Sequence, residues 1–218
     1  MFRGPYYASN TRQNICQAAR SHTMGICCAF IRLSDRNIEA LIRQPSLVYP
    51  LLGMPVEFPR PTGGFFARLF GRTSPAPPQP EPVTLPDARE EGDEGDVDKA
   101  WQAIHYLLTG TAEPTDSLLG FLCSGGTTIK DTDVGYGPPR AYTSAEVVSI
   151  ATELSVLDRD TLHRRYKPEE MDKQDVYPQI WARDGEEGFE YAWQHFEGLR
   201  SFLAEAQQRK QGLLVFHC

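Results

Sequence analysis

The feature that constrains this chain most is a proline-rich stretch followed at once by an acidic one. Between Pro55 and Pro86 the chain has nine prolines, and residues 81–98 carry eight acidic residues against Arg89 alone. Proline fixes φ and removes a backbone donor, so neither a helix nor a central strand propagates through such a run. We therefore predict that residues 53–97 form an extended, largely disordered insertion that divides one domain into two sequence segments.

The segments that flank this insertion are residues 24–52 and 98–218, and together they have the length of one ordinary domain. Residues 1–23 contain three arginines, no acidic residue and no apolar core of the kind that a signal peptide needs. We expect them to be a disordered tail, or the product of a start codon assigned upstream of the true one at Met24.

Charge and cysteine content limit the classes of function. The formal net charge of −7 argues against nucleic-acid binding, which depends on neutralising phosphates. The most apolar run, residues 25–33, is interrupted by Arg32 and is too short to span a membrane. Five cysteines without C-x-x-C spacing indicate reduced thiols in a cytoplasmic protein. We expect no cofactor and no bound metal.

Helix boundaries are visible in the sequence at several points. The predicted N-terminal caps are Ser34, Thr143 with Glu146 as a capping box, and Asp158, and two further helices are predicted to begin at Pro168 and Asp184. The predicted ends are Pro45 for the first helix, Gly110 for the helix that bears Trp101, and Gly212 for the long last helix. Apolar residues 25–33 and 213–216 indicate a buried strand near each end. A small sheet covered by helices follows from this order.

One glycine- and proline-rich loop is a candidate for ligand recognition. Residues 135–140 read Gly-Tyr-Gly-Pro-Pro-Arg, and a loop of this composition holds Tyr136 and Arg140 in place at low entropic cost. An ordered arginine beside an aromatic ring suits a carboxylate, a phosphate or a planar base. The same residues equally fit a tight turn whose arginine pairs with an acid. Arg140 occupies the place of the third glycine of a dinucleotide fingerprint, so that motif is not present.

A second candidate lies on the helix that bears Trp101. His105 follows Trp101 by one helical turn, so the two rings share a face, where His105 either transfers a proton or is a hydrogen-bonded core residue. Cys123 before two glycines is a weak candidate nucleophile. A zinc site from Cys27 or Cys28 with His217 and Cys218 has no spacing to support it.

These segments carry a resemblance to a known family. Residues 24–26, 98–110 and 135–140, with Tyr177, Pro178 and Trp181, resemble the YfbM-like family of bacterial domains of unknown function. The resemblance implies a helix-rich, three-layer α/β/α arrangement, with α+β as the alternative class, and it supplies no activity. The candidate ligand-binding residues that lie within the resembling segments are Trp101, His105, Tyr106, Tyr136, Arg140, Tyr177 and Trp181.

Two functions remain open from the sequence. The first is a cytoplasmic binding or protein-interaction module, whose helical surface and acidic, proline-rich insertion contact a partner protein. An amphipathic turn at residues 65–72 is a further candidate contact within the insertion. The second is a small-ligand-binding protein or an enzyme, with a pocket for an anionic or nucleotide-like ligand between the Trp101 helix and the loop 135–140. In that case Arg140 holds the anionic group and His105 acts as general acid or base.

Overall fold

The structure is a computed structural model that describes residues 25–54, 85 and 93–218. The predicted tail at residues 1–23, the amphipathic turn at residues 65–72 and most of the predicted insertion lie outside the described residues.

Five antiparallel strands form one sheet in the order β2-β1-β5-β4-β3. Their bounds are Cys28–Leu33 for β1, Glu94–Asp96 for β2, Thr127–Thr128 for β3, Arg140–Tyr142 for β4 and Gly212–His217 for β5. The two strands predicted near the chain ends are β1 and β5, and they pair along their whole length, from Cys28 opposite His217 to Leu33 opposite Gly212. This pairing places the start of β1 and the end of β5 at the same end of the sheet.

Seven α-helices and three 3₁₀ turns complete the described part of the chain. The helices are α1 (Asp35–Arg43), α2 (Val48–Leu51), α3 (Trp101–Thr109), α4 (Ser144–Ser155), α5 (Arg159–Arg165), α6 (Pro168–Lys173) and α7 (Trp181–Arg209), and the 3₁₀ turns are Pro45–Leu47, Asp98–Ala100 and Leu118–Gly120. Predicted caps are confirmed at Ser34, at Asp158, and at Thr143, where Glu146 completes the capping box. Gly110 ends α3 with a φ of 82°.

The sheet separates two apolar cores, because successive side chains of a strand point to opposite faces. Phe30 and Val215 pack on one face with residues of α3, α4 and α7. Ile31 and Leu214 pack on the other face with residues of α1 and α2. The predicted mixed fold in three layers, helices on both sides of a small sheet, is confirmed. Its strands are all antiparallel.

The folded domain resumes earlier than predicted. We expected the insertion to run through residue 97, but residues 94–96 form β2, and Val97 is fully buried in the core. Asp93, just before β2, is also buried, and its carboxylate lies 3.6 Å from the guanidinium of Arg32. The acidic composition did not indicate this strand, because the cations that neutralise Asp93 are distant in the sequence: Arg32 on β1 and, at 3.8 Å, Arg209 at the end of α7.

The last helix also begins earlier than predicted, at Trp181 instead of Asp184. The carboxylate of Asp172 accepts hydrogen bonds from the backbone N–H groups of Trp181 (3.2 Å) and Ala182 (3.0 Å), so the cap comes from a residue outside the helix. Gly185 departs from helical geometry, with φ 51° and ψ −120°. Within the described residues, none of the helices is both long and apolar enough to cross a membrane.

Candidate functional site

Trp101 and Tyr177 hold the chain just before β1. The indole Nε1 of Trp101 donates to the carbonyl oxygen of Ile26 (3.0 Å), and the backbone N–H of Ile26 donates to the hydroxyl of Tyr177 (2.8 Å). The two rings stack with centroids 5.8 Å apart, and the His217 ring meets Trp101 nearly edge-on at 4.7 Å. The polar atom of Trp101 is therefore already used, and its ring already has two aromatic neighbours.

Arg140 is a half-buried cation at the same end of the sheet, at the start of β4. Its Nη2 donates to the carbonyl oxygen of Leu122 (2.6 Å), and its Nη1 lies 3.4 Å from the hydroxyl of Tyr142. That hydroxyl bonds to the carbonyl oxygens of Phe121 and Ser124. Among the residues that the structure describes, Arg140 has no carboxylate within ion-pair distance. The acid that the tight-turn interpretation required for Arg140 is therefore not found in this part of the chain.

Two histidines whose pKa the charge of Arg140 lowers each have a buried ring nitrogen without a hydrogen-bond partner. These atoms are Nδ1 of His105 and Nε2 of His217. The other nitrogen of His105, Nε2, lies 2.9 Å from the carbonyl oxygen of Glu113. Because a carbonyl oxygen only accepts, Nε2 carries the proton, and neutral His105 has a bare lone pair at Nδ1. We call Arg140, His105 and His217 the Arg140 cluster.

Burial and the charge of Arg140 keep both histidines neutral. Burial lowers the pKa of His105, the hydrogen bond that His105 donates to the carbonyl oxygen of Glu113 opposes this, and the charge of Arg140 lowers the pKa further. The same two causes lower the pKa of His217 to about 4. A positive charge disfavours a second one nearby, so the guanidinium of Arg140 disfavours protonation of either histidine.

The remaining titratable groups around Arg140 are also neutral near pH 7. Burial raises the pKa of Cys123 and Tyr142 to about 12, and it raises that of Cys28 further still, with Arg140 opposing the shift in each case. Cys123 is therefore a protonated thiol, which is a poor nucleophile. Arg140 remains the charged group of the site.

The glycine-rich loop packs on the end of β5, beside the Arg140 cluster. The carboxylate of Asp133 accepts from the N–H groups of Gly135 (3.0 Å) and Gly137 (3.2 Å), and the N–H of Tyr136 donates to the carbonyl oxygen of His217 (3.2 Å). A Cβ at Gly135, whose φ is 143°, would lie 3.2 Å from that same oxygen. The loop is thus held by several hydrogen bonds, and Tyr136 is 58% exposed.

The seven predicted site residues fall into two groups. Trp101, His105, Arg140 and Tyr177 lie at or beside the Arg140 cluster, and Tyr136 is joined to it through the backbone. Tyr106 and Trp181 are buried among the core residues, and the indole nitrogen of Trp181 donates to the carbonyl oxygen of Val176 (2.8 Å).

His217 is the member of the cluster that the sequence did not indicate. The sequence offers it only as a ligand of a zinc site with nearby cysteines. Among the described residues, no group of three or more His, Cys, Asp or Glu side chains is placed to hold a metal. The alternation of side chains along a strand is a signal that could have indicated His217. His217 follows Val215 by two residues and therefore lies on the same face of the sheet, and Val215 pairs with Arg140. The register that connects them is a tertiary property.

Hydrogen bonds of Asp98 and Lys99 connect the start of the Trp101 helix to two other parts of the chain. Its carboxylate accepts from the thiol of Cys27 (3.2 Å) and from the hydroxyl of Tyr191 (2.9 Å), and its φ is 44°. The Tyr191 hydroxyl also accepts from the N–H of Lys99 (3.2 Å). These bonds attach the start of α3 to α7 and to the chain before β1.

The chain matches the model of a known protein family. Residues 24–216 match the model of a family that is described as a domain of unknown function, DUF1877.

The chain belongs to the DUF1877 family.

A solved structure confirms the predicted YfbM-like resemblance of this DUF1877 domain. It is the crystal structure of YfbM from Escherichia coli, a protein of unknown function, with 16% identity and a TM-score of 0.58. The similarity covers 87% of this chain and 98% of that one, and at this identity it shows the fold alone. No curated protein matches the sequence significantly. The comparisons therefore assign this DUF1877 domain a fold and no activity.

Proposed function

We propose that this protein binds a small oxyanion, a phosphate or carboxylate group, at the Arg140 cluster. The observation that supports this is the half-buried guanidinium of Arg140, which has no carboxylate partner in the described part of the chain. Its charge acts on two histidines that each have a buried ring nitrogen without a partner. Leaving a charge and polar atoms uncompensated away from water costs free energy. A bound anion removes the cost at Arg140, whereas a bare histidine nitrogen is itself an acceptor and gains from the anion only when it carries a proton.

The donors that remain on Arg140 suit an oxyanion. A guanidinium has five N–H groups, and the bonds to Leu122 and Tyr142 use two of them. The others retain the planar fork that recognises two oxygens of a carboxylate or phosphate at once. The neighbouring thiols and phenol are neutral, so they do not repel an incoming anion.

The geometry favours a single anionic group over a nucleotide-like ligand. Trp101 already stacks on Tyr177 and uses its indole N–H on Ile26, which supports a structural role for both rings. Lys99 lies against Gly25, close to the hydroxyl of Tyr177, and the charged side chain that lowers the pKa of His217 is Arg140. The proposal therefore does not include stacking of a planar base.

The alternative of a protein-interaction module remains a prediction. It depends on the helical surface and on the insertion, and the insertion, with its turn at residues 65–72, lies outside the described residues apart from residues 53–54, 85 and 93–97. A cytoplasmic location is also part of our proposal, and it is supported by the four described cysteines, none of which is joined in a disulfide.

Binding titrations at constant ionic strength test the proposal. Sulfate, phosphate and acetate are titrated against chloride as reference, with calorimetry and thermal unfolding as readouts. Binding at a hundred times Kd stabilises the folded state by about 2.7 kcal/mol, which thermal unfolding detects. Arg140→Gln should weaken binding at least about tenfold, since a hydrogen bond to a charged group contributes about 1.5–3 kcal/mol.

The matched control is Arg43→Gln. Arg43 is exposed and its partner is Glu39 at 3.6 Å on the same helix, so this substitution removes the same charge far from the cluster. Because Arg140 also bonds to Leu122, circular dichroism verifies the fold, and Arg140→Lys gives a second variant that keeps the charge but loses the fork. The proposal is wrong if no oxyanion binds the native protein, or if folded Arg140→Gln binds as well as Arg43→Gln.

A further inference from the structure

Cys27 and Cys218 lie directly opposite each other at one end of the β1–β5 pair. The backbone N–H of Cys27 donates to the carbonyl oxygen of Cys218 (2.8 Å), and the N–H of Cys218 donates to the carbonyl oxygen of Cys27 (2.9 Å). This reciprocal pair continues the register in which Cys28 is opposite His217. Two residues that exchange both bonds are direct neighbours across the strands, so their side chains lie on the same face of the sheet.

Both side chains are on the face that packs against α1 and α2. Cys28 belongs to the core on the other face, which places Cys27 on the face of Ile31 and Leu214. Cys218 packs against that same core. The adjacent thiol of Cys28 therefore points away from this cysteine pair.

The spacing of such a pair suits a strained disulfide. In a hydrogen-bonded antiparallel pair the Cα atoms are about 5.5 Å apart, which is within the range of disulfide-linked cysteines. Opposite Cβ atoms at roughly 5.5 Å have to approach to about 3.8 Å for the bond to form, which requires a local distortion. A strained disulfide is easily reduced, as is typical of labile or regulatory disulfides.

Neighbouring contacts hold both cysteines in this position. The backbone of Ile26, next to Cys27, is bonded to Trp101 and Tyr177. Beside Cys218, a Cβ at Gly135 would lie 3.2 Å from the Cα and 3.6 Å from the Cβ of that cysteine. The loop therefore packs closely against Cys218, and the absence of a side chain at Gly135 leaves room beside it.

The two thiols differ in exposure and in bonding. Cys218 is half-buried, whereas Cys27 is 5% exposed and its thiol donates to the carboxylate of Asp98 (3.2 Å). Burial and this hydrogen bond raise the pKa of Cys27 to about 12. Cys218 is therefore the thiol that an oxidant meets first. The bond to Asp98 exists only while Cys27 is a thiol, so it stabilises the reduced pair.

We propose that Cys27 and Cys218 form a reversible intramolecular disulfide, with glutathione disulfide as the oxidant. The Cys218 thiolate attacks one sulfur of glutathione disulfide, which gives a mixed disulfide and one glutathione thiolate that takes up the Cys218 proton. The Cys27 sulfur then leaves Asp98, attacks the Cys218 sulfur and displaces a second glutathione thiolate, which takes up the Cys27 proton. Two electrons pass from the cysteine pair to glutathione disulfide, and excess glutathione reverses both steps.

Thiol counting in glutathione buffers tests the proposal. The full chain is equilibrated at graded ratios of reduced to oxidised glutathione, then denatured, alkylated and weighed by mass spectrometry. We expect the oxidised chain to carry two alkyl groups fewer than the reduced chain, and peptide mapping to join residues 27 and 218. A crosslink that closes so long a loop should also raise Tm by roughly 4–16 °C, and excess reduced glutathione should reverse both changes.

Three variants identify the bonded pair. Cys27→Ser and Cys218→Ser should each abolish the loss of two alkylation sites and the rise in Tm. Serine at position 27 keeps a hydroxyl that can donate to Asp98. Cys28→Ala is the matched control, because it removes the adjacent thiol on the opposite face, and it should keep both effects. Circular dichroism verifies the fold of each variant.

Several outcomes would overturn this inference. It is wrong if the folded native protein keeps all its alkylation sites in oxidised glutathione, or if oxidation stops at a glutathione adduct on Cys218. A bond that Cys28→Ala abolishes and Cys27→Ser retains would contradict the assignment of the pair from the strand register. None of these results affects the anion site, which the oxyanion titrations test separately.

Discussion

Asp93→Asn is the substitution that most directly tests how this sheet is stabilised. Asp93 and Arg32 are both almost fully buried, and their charged atoms lie 3.6 Å apart. Glu205 bonds to the same guanidinium at 2.6 Å but is more than half exposed. Arg32 also lies over the ring of Phe202, at 4.5 Å from its centroid. The buried carboxylate is thus the partner that water cannot replace.

The expected cost follows from this burial. Removing one partner of a buried ion pair costs about 3–5 kcal/mol, and the bond from Arg32 to Glu205 remains, so we expect about 2–4 kcal/mol for Asp93→Asn. For a domain of this size, about 1 kcal/mol shifts Tm by roughly 2–4 °C, which gives a decrease of roughly 4–16 °C.

Urea and thermal unfolding of native and variant proteins provide the measurement. Glu205→Gln is the matched control, since it removes a carboxylate from the same guanidinium at the surface, where solvent replaces much of the interaction. A loss for Asp93→Asn no larger than that for Glu205→Gln would refute the reasoning. It would show that the end of the acidic segment contributes nothing specific to the folded sheet.

Three further predictions concern the loop, a helix cap and pH. Gly135→Ala should destabilise the fold by about 1–3 kcal/mol, because its φ of 143° and its contact with β5 disfavour a side chain, whereas Gly198→Ala, in open space on α7, should stabilise it by up to about 1 kcal/mol; urea unfolding of both compares them. Thr143→Ala should cost about 1 kcal/mol by removing the capping box of α4, and a Thr143→Ser variant that loses as much in the same assay would argue against the cap. The pKa of His217 is lowered from 6.5 to about 4 on folding, so the unfolded chain binds more protons, and stability should decline by up to about 3 kcal/mol as pH falls from above 6.5 to about 4. His217→Gln should flatten that part of the pH–stability curve, and an unchanged slope would show that His217 is not buried as a neutral ring.

Local signals were sufficient for much of the secondary structure. Ser34, Thr143 with Glu146, and Asp158 cap helices through bonds to residues within three positions, so the information is contained in a short window. Gly110 ends α3 for the same reason, since its φ of 82° is a local requirement. The start of α7 was missed because its cap, Asp172, lies outside the helix that it caps.

In the candidate site, too, some features were predictable from neighbouring residues and others depend on residues distant in the chain. The helical spacing of Trp101 and His105 and the ordered loop before Arg140 were predictable, because both depend on near neighbours along the chain. His217 entered the site only through the β1–β5 and β4–β5 registers. Trp181 belongs to a resembling segment, but packing places it in the core.

The sequence by itself determined the helix caps, the strands near the two ends of the chain and the family resemblance. It also showed that an arginine, several aromatic residues and a histidine occur in a few short segments. Tertiary structure decided which of these residues meet. It brought Asp93 to Arg32, which converted part of an acidic segment into an edge strand. It also buried two histidine nitrogens beside a cation. The free energy that such a charge or lone pair contributes depends on its burial and on partners that are distant in the chain. No local sequence pattern encodes either.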